Sequence, residues 1–301
     1  MKVYFGRCRR RVKENMGIVI DLSRAESYLG EDELKEARGR AAAICRALYE
    51  KEDKDRVLGW RTEETSVLQL KQIKEKAAEI RREADVFVIV GVGGSNQAAR
   101  GVIEALPRPK GPKIVYLGNT LSPYTIRRTL EGMEGKSVYI NVIAKNFETL
   151  EPGSHFRILR QWMGSRYSKE EMARRIVVTG TRGSRLEEIA EKEGYLFLEF
   201  PLSVGGRYSA FTPVGLFPIA AAGLDVDEYL AGMAAALKDC REHGEDNPAV
   251  RYALVAFLLN GGYSFSGRVR ARIRKGFFLL LLFILRISIP LDSICRKAEG
   301  I

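Results

Sequence analysis

The sequence has few of the residues that usually hold metal ions. It contains only two histidines, His155 and His243, which nearly excludes a site built from several histidines. Its four cysteines lie far apart and form no CxxC pair, which argues against zinc, iron–sulfur and disulfide frameworks. They are Cys8, Cys45, Cys240 and Cys295. We therefore expect no cofactor, and unpaired cysteines fit the reducing cytoplasm.

Secretory and membrane-spanning signals are also lacking. The chain begins MKVYFGRCRR, and no apolar stretch follows these charges as it would in a signal peptide. The apolar run 277–285 has nine residues, about half of what a bilayer span requires. We expect a cytoplasmic protein without a membrane partner.

An excess of positive charge is present, but it is concentrated near one end. The formal net charge is +11. Eight basic and two acidic residues lie between Ser266 and Ile301, which gives this segment +6 and leaves +5 for the residues before it. Because the excess is local, the main part of the chain needs no nucleic-acid partner to explain it.

Five short apolar runs follow two helical patterns. Residues 31–54 carry acidic side chains in their first turn, and residues 68–85 repeat apolar side chains every three or four positions, so we expect helices there. The apolar runs cover residues 86–91, 113–118, 138–144, 175–180 and 195–200. Since each is apolar on both faces and a helical pattern separates it from the next, they predict a parallel sheet wrapped by helices.

The predicted fold class is α/β, with a doubly wound parallel five-stranded sheet, N-terminal helices and an incomplete second domain. Two more helices are expected in residues 225–243 and 247–263, the second starting with Asn247 before Pro248 at the first helical position. The predicted division is a helical segment 1–66, the sheet domain 67–222, helices 223–263 and a basic and apolar tail 264–301.

Three strands are followed by loops suited to an anion. They are GVGGSNQAARG after residue 90, AKNFETLEP starting at Ala144, and VGGRYSAFTPVG starting at Val204. In an open parallel sheet ligands bind at the carboxyl ends of the strands, where helices begin with unpaired N–H groups. The first loop lacks the G-x-G-x-x-G spacing and no acidic residue closes the next strand, which disfavours nicotinamide. Taken singly, this loop could be a structural turn and Arg207 a salt-bridged surface residue.

The order of these stretches and their amino-acid sequences resemble the glucose-6-phosphate isomerase family of the bacterial type. The resemblance covers about residues 60–263 and includes VIVGVGGSNQAARG, NVIAKNFETLEP and VGGRYSAFTPVGLFPIA. It implies the sugar-isomerase fold, a sugar-phosphate substrate and a homodimer. By this resemblance Gly94 and Ser95 line the sugar, Lys145, Asn146 and Thr149 hold the phosphate, and Arg207 stabilises the enediolate.

The phosphate loop departs from the family pattern. The family usually has a run like Ser-Lys-Thr/Ser-x-Thr-Thr, whereas residues 144–149 read Ala-Lys-Asn-Phe-Glu-Thr. Ala144 cannot donate a hydrogen bond, and a lost bond to a charged group costs about 1.5–3 kcal/mol. Glu148 adds a like charge near the phosphate. We therefore expect weaker phosphate binding or a different sugar phosphate.

The family's proton-transfer residues have no counterparts in this sequence. Isomerisation needs a carboxylate base, which the family carries in an E-S-E-G-K-like stretch, together with a later histidine and a lysine. None of these sequence motifs occurs here, and His155 and His243 are expected to be ordinary surface residues.

The tail 264–301 has two interpretations. We hypothesise that the reading frame shifted near residues 263–267; the competing interpretation is a basic amphipathic membrane anchor.

Two function classes remain open at this point. One is an isomerase whose full activity needs segments that this chain lacks. The other is a non-catalytic sugar-phosphate-binding module used in regulation or sensing.

Overall fold

The computed structural model describes residues 3–4, 19–50, 58–145, 147–242 and 246–260. The tail 264–301, Asn146 and His243 therefore lie outside the described residues. The chain divides into two compact units, Asp53–Val226 on the one hand and residues 1–52 with 227–301 on the other. The four-part division predicted from the sequence is not tested by this grouping and stays a prediction.

The unit formed from the two ends of the chain is mainly helical where it is described. Strands β1 (Val3–Tyr4) and β2 (Val19–Ile20) pair antiparallel. Four helices follow in this unit: α1 (Ser23–Glu26), α2 (Glu31–Glu50), α10 (Val226–Glu242) and α11 (Pro248–Asn260). Pro248 is the first residue of α11 as predicted, and the Asn247 side chain accepts a hydrogen bond from the Ala249 N–H at 2.9 Å. Helices α2 and α11 pack through small apolar side chains at Ala41, Cys45 and Val250.

The central unit contains the predicted parallel sheet. Its strands are β3 (Val86–Val90), β4 (Lys113–Leu117), β5 (Val138–Ala144), β6 (Ile176–Gly180) and β7 (Leu196–Glu199). Every pairing is parallel and the spatial order is β4-β3-β5-β6-β7. The prediction of a five-stranded α/β fold is confirmed.

Helices cover the sheet on both faces, as the doubly apolar strands require. They are α3 (Leu70–Glu83), α4 (Gly94–Ala105), α5 (Pro123–Glu131), α6 (Leu150–Gly164), α7 (Lys169–Arg175), α8 (Arg185–Glu193) and α9 (Pro213–Ala221). Phe156 of α6 and Leu186 of α8 join the core on one face of β3 and β5. On the other face the Phe87 ring meets Phe217 of α9 edge to face, with 5.8 Å between centroids.

The strand order indicates where a ligand of this fold is expected to bind. The chain passes from β3 to β4 on one side and then returns to β5 on the other side of β3. Such a reversal opens a crevice beyond the carboxyl ends of the two strands, and ligands of doubly wound folds bind there. The loops after β3 and after β5 flank this crevice.

Candidate functional site

The loop after β3 is held by its own backbone and by one buried side chain. Gly93 has a φ of +59°, a conformation that glycine adopts without strain. Asn96 is buried and donates from its Nδ2 to the Gly91 carbonyl at 3.2 Å. The loop therefore leads directly into α4 and places Ser95 in the first turn of that helix. Among the residues that the structure describes, the Ser95 hydroxyl has no hydrogen-bond partner.

A close backbone contact joins α4 to the turn that carries Arg207. A Cβ added to Gly94 would overlap the carbonyl group of Gly206 and lie 2.9 Å from the Arg207 nitrogen. Only glycine allows the two chain segments to approach this closely. The contact therefore brings the backbone next to Ser95 close to the backbone of Arg207, although the two residues are 112 positions apart in the sequence.

The Arg207 guanidinium is exposed, and within the described ranges it forms no hydrogen bond or ion pair. Arg207 belongs to a 3-10 helix, Gly206–Phe211, that follows β7 and precedes α9. A guanidinium keeps its positive charge and can bind two oxygens of an anion at once. This side chain is thus available to an anionic ligand.

Residues 58–61, which sequence reasoning missed, hold the turn in place. The Gly59 N–H donates to the Ser203 carbonyl at 3.0 Å, and Leu58 forms an antiparallel bridge with Val204. The rings of Trp60 and Tyr208 lie 5.9 Å apart. The glycine and tryptophan of this short segment were the available signal, but nothing local points to a partner so far along the chain.

Lys145, predicted to bind phosphate, supports the same turn. Its Nζ donates to the Leu202 carbonyl at 3.1 Å and to the Val204 carbonyl at 3.0 Å. Burial lowers the pKa of this ammonium group from its ordinary value. An ammonium group has three N–H donors, so these two contacts leave one for a ligand. The predicted phosphate role of Lys145 stays a prediction.

The remainder of the loop after β5 combines an apolar side chain with polar ones. The Phe147 ring packs edge to face against Phe156 of α6, with 6.0 Å between centroids. Thr149 directly precedes α6 and is half-buried, whereas Glu148 is exposed. The loop therefore brings Thr149 and the start of a helix to the crevice, while Phe147 anchors the loop on the core side.

The expectation that His155 is a surface residue is wrong. Only 1% of His155 is exposed. Its Nδ1 accepts a hydrogen bond from the Gly118 N–H at 3.0 Å, and its Nε2 lies 2.6 Å from the Thr120 carbonyl. Because a carbonyl can only accept, this geometry assigns the proton to Nε2 of a neutral ring. His155 thereby ties α6 to the loop after β4, and its spacing to the buried Leu159 and Trp162 was the signal that it faces inward.

Two possible features are absent from the described part of the chain. No group of three or more His, Cys, Asp or Glu side chains in it is arranged to hold a metal ion. No helix in it combines the length and the apolar character needed to cross a membrane.

Comparison with known proteins decides the family. The family model described as phosphoglucose isomerase matches residues 72–265. The chain belongs to the phosphoglucose isomerase family. This confirms the resemblance inferred from the glycine loop, the NVIAKNFETLEP stretch and the turn with Arg207.

The chain matches curated relatives over only part of the length of each relative. It is 43% identical over 198 residues to a glucose-6-phosphate isomerase of Symbiobacterium thermophilum, covering 62% of this chain and 44% of that protein. It is 34% identical over 253 residues to one of Bacillus cereus, covering 79% and 56%. The chain thus spans about half the length of the curated relatives it matches.

A solved structure supports the fold. A crystal structure of a hypothetical protein from Thermus thermophilus superposes with a TM-score of 0.62 at 27% identity. The match covers 80% of this chain and 54% of the other. The likeness therefore extends through most of this chain.

Proposed function

We propose that the chain binds a sugar phosphate in the crevice between the loops after β3 and β5. One observation carries the proposal. The contact of Gly94 with Gly206 brings the backbone around Ser95 close to the backbone of Arg207, and neither the Ser95 hydroxyl nor the Arg207 guanidinium has a partner among the described residues. A hydroxyl after β3 and an unpaired guanidinium after β7, on chain segments that touch at the carboxyl ends of the strands, suit an anionic, hydroxyl-rich ligand.

In this proposal six residues share the work of the site. Gly94 and Ser95 line the sugar, and Lys145, Asn146 and Thr149 hold the phosphate. Two tasks fall to Lys145, since its contacts with the Leu202 and Val204 carbonyls also steady the turn that presents Arg207. Arg207 acts as a catalytic residue by stabilising negative charge on the oxygens of an enediolate.

The reaction proposed for the whole site is the interconversion of glucose 6-phosphate and fructose 6-phosphate. A base removes the proton from carbon 2 of the sugar, charge develops on the enediolate, and the proton returns at carbon 1. Residues 1–301 include no E-S-E-G-K-like stretch to supply that base. This chain therefore contributes binding and charge stabilisation, and proton transfer needs groups from elsewhere. A homodimer and a cytoplasmic location belong to the same proposal.

The composition of the phosphate loop favours a second candidate, a non-catalytic sugar-phosphate-binding module. Ala144 and Glu148 stand where the family usually offers hydroxyl groups. A site that has lost phosphate donors and has no assigned base can still recognise a ligand, for regulation or sensing.

Two measurements on the purified chain test the site and the source of the base. Calorimetric titration compares glucose 6-phosphate with glucose in phosphate-free buffer, and a coupled assay follows fructose 6-phosphate formation. Saturable binding of glucose 6-phosphate without turnover supports the site and fits both the module and an isomerase that needs groups from elsewhere, whereas turnover excludes the module and overturns our account that the base lies elsewhere. If glucose 6-phosphate binds no better than glucose, the proposed site is wrong.

A further inference from the structure

A groove on the central unit has no role in the proposed sugar-phosphate site. It has a volume of about 220 Å³ and lies between helices α6 and α8. Its apolar wall is formed by Phe147, Phe156 and Ile189. Phe147 belongs to the loop after β5, so the groove lies behind that loop and borders the crevice only through it.

Four cations and a single anion line this groove. Arg157 and Arg160 are three positions apart on α6, and Arg185 and Lys192 are seven apart on α8, so each pair lies on one face of its helix. Two facing stripes of positive charge therefore meet across the space. Glu193 is the one acidic side chain among the lining residues.

The anion is already engaged by one of the cations. Arg160 forms an ion pair with Glu193 at 2.8 Å and donates to the Tyr195 hydroxyl at 3.2 Å. Its guanidinium also lies over the Phe156 ring, 5.7 Å from the centroid. Arg160 is thus held in one orientation, with its charge neutralised.

The other three cations have no partner in the described ranges. Arg157, Arg185 and Lys192 are all exposed at the groove, and none of them forms an ion pair or a side-chain hydrogen bond with a described residue. Arginines elsewhere in the same unit do meet carboxylates, as Arg166 meets Glu134 and Arg182 meets Glu187 and Glu199. Three like charges converging on one concave space repel one another, and an anion bound among them would relieve that repulsion.

We propose that this groove binds a compact polyanion with two or more phosphate or carboxylate groups. The volume suits a ligand of small-metabolite size, and two anionic groups can contact both helices at once. The apolar wall excludes water from one side, which strengthens each charge-assisted contact. The site shares the loop residue Phe147 with the neighbourhood of the sugar-phosphate site, but none of its cations takes part in that proposal.

Pyrophosphate is a suitable probe because it carries two phosphate groups and no sugar. Calorimetric titration of the full chain at low ionic strength is expected to give saturable binding. Because hydrogen bonds to charged groups are strong, the double variant Arg157→Gln/Arg185→Gln should bind about tenfold more weakly or worse. Lys192→Gln, made separately, should weaken binding by a smaller factor.

Two control variants test whether a loss of pyrophosphate binding comes from the lower net charge or from the sugar-phosphate site. Arg108→Gln/Arg127→Gln removes two exposed arginines from other surfaces, and Arg207→Gln changes the sugar-phosphate site. Both should bind pyrophosphate as the unaltered chain does. The proposal is overturned if pyrophosphate binding does not saturate, if the two double variants lose affinity equally, or if only Arg207→Gln weakens binding.

Discussion

The two ends of the strands in the five-stranded sheet, called here the amino edge and the carboxyl edge, differ in whether their polar side chains have partners. At the amino edge, the Tyr139 hydroxyl lies 3.0 Å from a carboxylate oxygen of Glu79 and 2.9 Å from one of Glu83, and its single proton can be donated to either. Arg174 forms ion pairs with both carboxylates, and Arg82 also meets Glu83. These charges compensate one another, and together they join α3, β5 and α7.

At the carboxyl edge, by contrast, polar and apolar groups are left open. Ser95 and Arg207 have no partner in the part of the chain that the structure describes. Large apolar side chains on the loops after the strands and at the start of α6 are exposed by 38–64%: Val92, Leu121, Leu150 and Leu202. One sheet thus has an edge where Arg174 pairs with Glu79 and Glu83, which supports stability, and an edge where Ser95 and Arg207 are left open, which is available for binding.

The largest effect is expected at the carboxyl edge, from Gly94→Ala. The new Cβ would overlap the Gly206 carbonyl, and because backbone has to move, we expect about 3 kcal/mol of lost stability together with lost sugar-phosphate binding. Thermal unfolding and calorimetric titration measure the two losses. Gly101→Ala in the same helix is the control, since a Cβ there meets no atom within 4 Å and should be neutral or slightly stabilising. Equal behaviour of the two variants would refute the close contact.

Lys145→Met tests whether this residue supports the turn or only binds phosphate. Removing Nζ leaves the Leu202 and Val204 carbonyls without this donor, so we expect about 1–2 kcal/mol of lost stability and weaker glucose 6-phosphate binding. Denaturant unfolding gives the first and titration the second. Lys113→Met, at an exposed lysine of β4, should change neither. A normal unfolding midpoint with lost binding would make Lys145 a phosphate ligand alone.

Paired substitutions of arginine compare the two edges directly. Arg207→Gln should leave the melting temperature unchanged and weaken glucose 6-phosphate binding about tenfold, the value of one charge-assisted contact. Arg174→Gln should lower the melting temperature by a few degrees and leave binding unchanged, because it breaks the ion pairs with Glu79 and Glu83. If Arg207→Gln destabilises the fold or Arg174→Gln weakens binding, the distinction between the edges fails.

The smallest effect is expected at the amino edge, in how much the free energy of unfolding decreases at low pH. Hydrogen bonds from Arg174, Arg82 and Tyr139 lower the pKa of Glu83 from 4.5 to about 2. Since the folded pKa lies below the unfolded one, this contribution is present above pH 4.5 and is lost as the pH falls towards 2. Glu83→Gln should flatten that decline in pH-dependent unfolding. Glu75→Gln, whose contact with Lys71 is 3.9 Å and exposed, should not.

Sequence patterns predicted the strands and the loops but not the contacts between distant segments. Val86–Val90 and Val138–Ala144 were readable because a run that is apolar on both faces suits only a covered strand. The glycine loops identified the edge expected to bind. The contact of Gly94 with Gly206 and the support given by Gly59 were not predicted, because each joins segments more than a hundred positions apart.

The wrong expectation for His155 has a different cause. A histidine on a helix just behind the phosphate loop suits the surface, but its position on α6 places it with the buried Leu159 and Trp162. A buried imidazole needs two partners, and both come from the loop after β4. Local sequence does not reveal that such partners exist, so helical spacing was the better guide.

Hydrogen–deuterium exchange with and without glucose 6-phosphate tests the central claim most directly. The account predicts slower exchange in three separate segments at once, residues 91–97, 145–151 and 205–210, because all three border one ligand. Residues 79–86 and 171–176 at the amino edge should exchange at unchanged rates. Protection confined to one of the three segments, or protection of the amino edge instead, would contradict a sugar-phosphate site built at the carboxyl edge of this sheet.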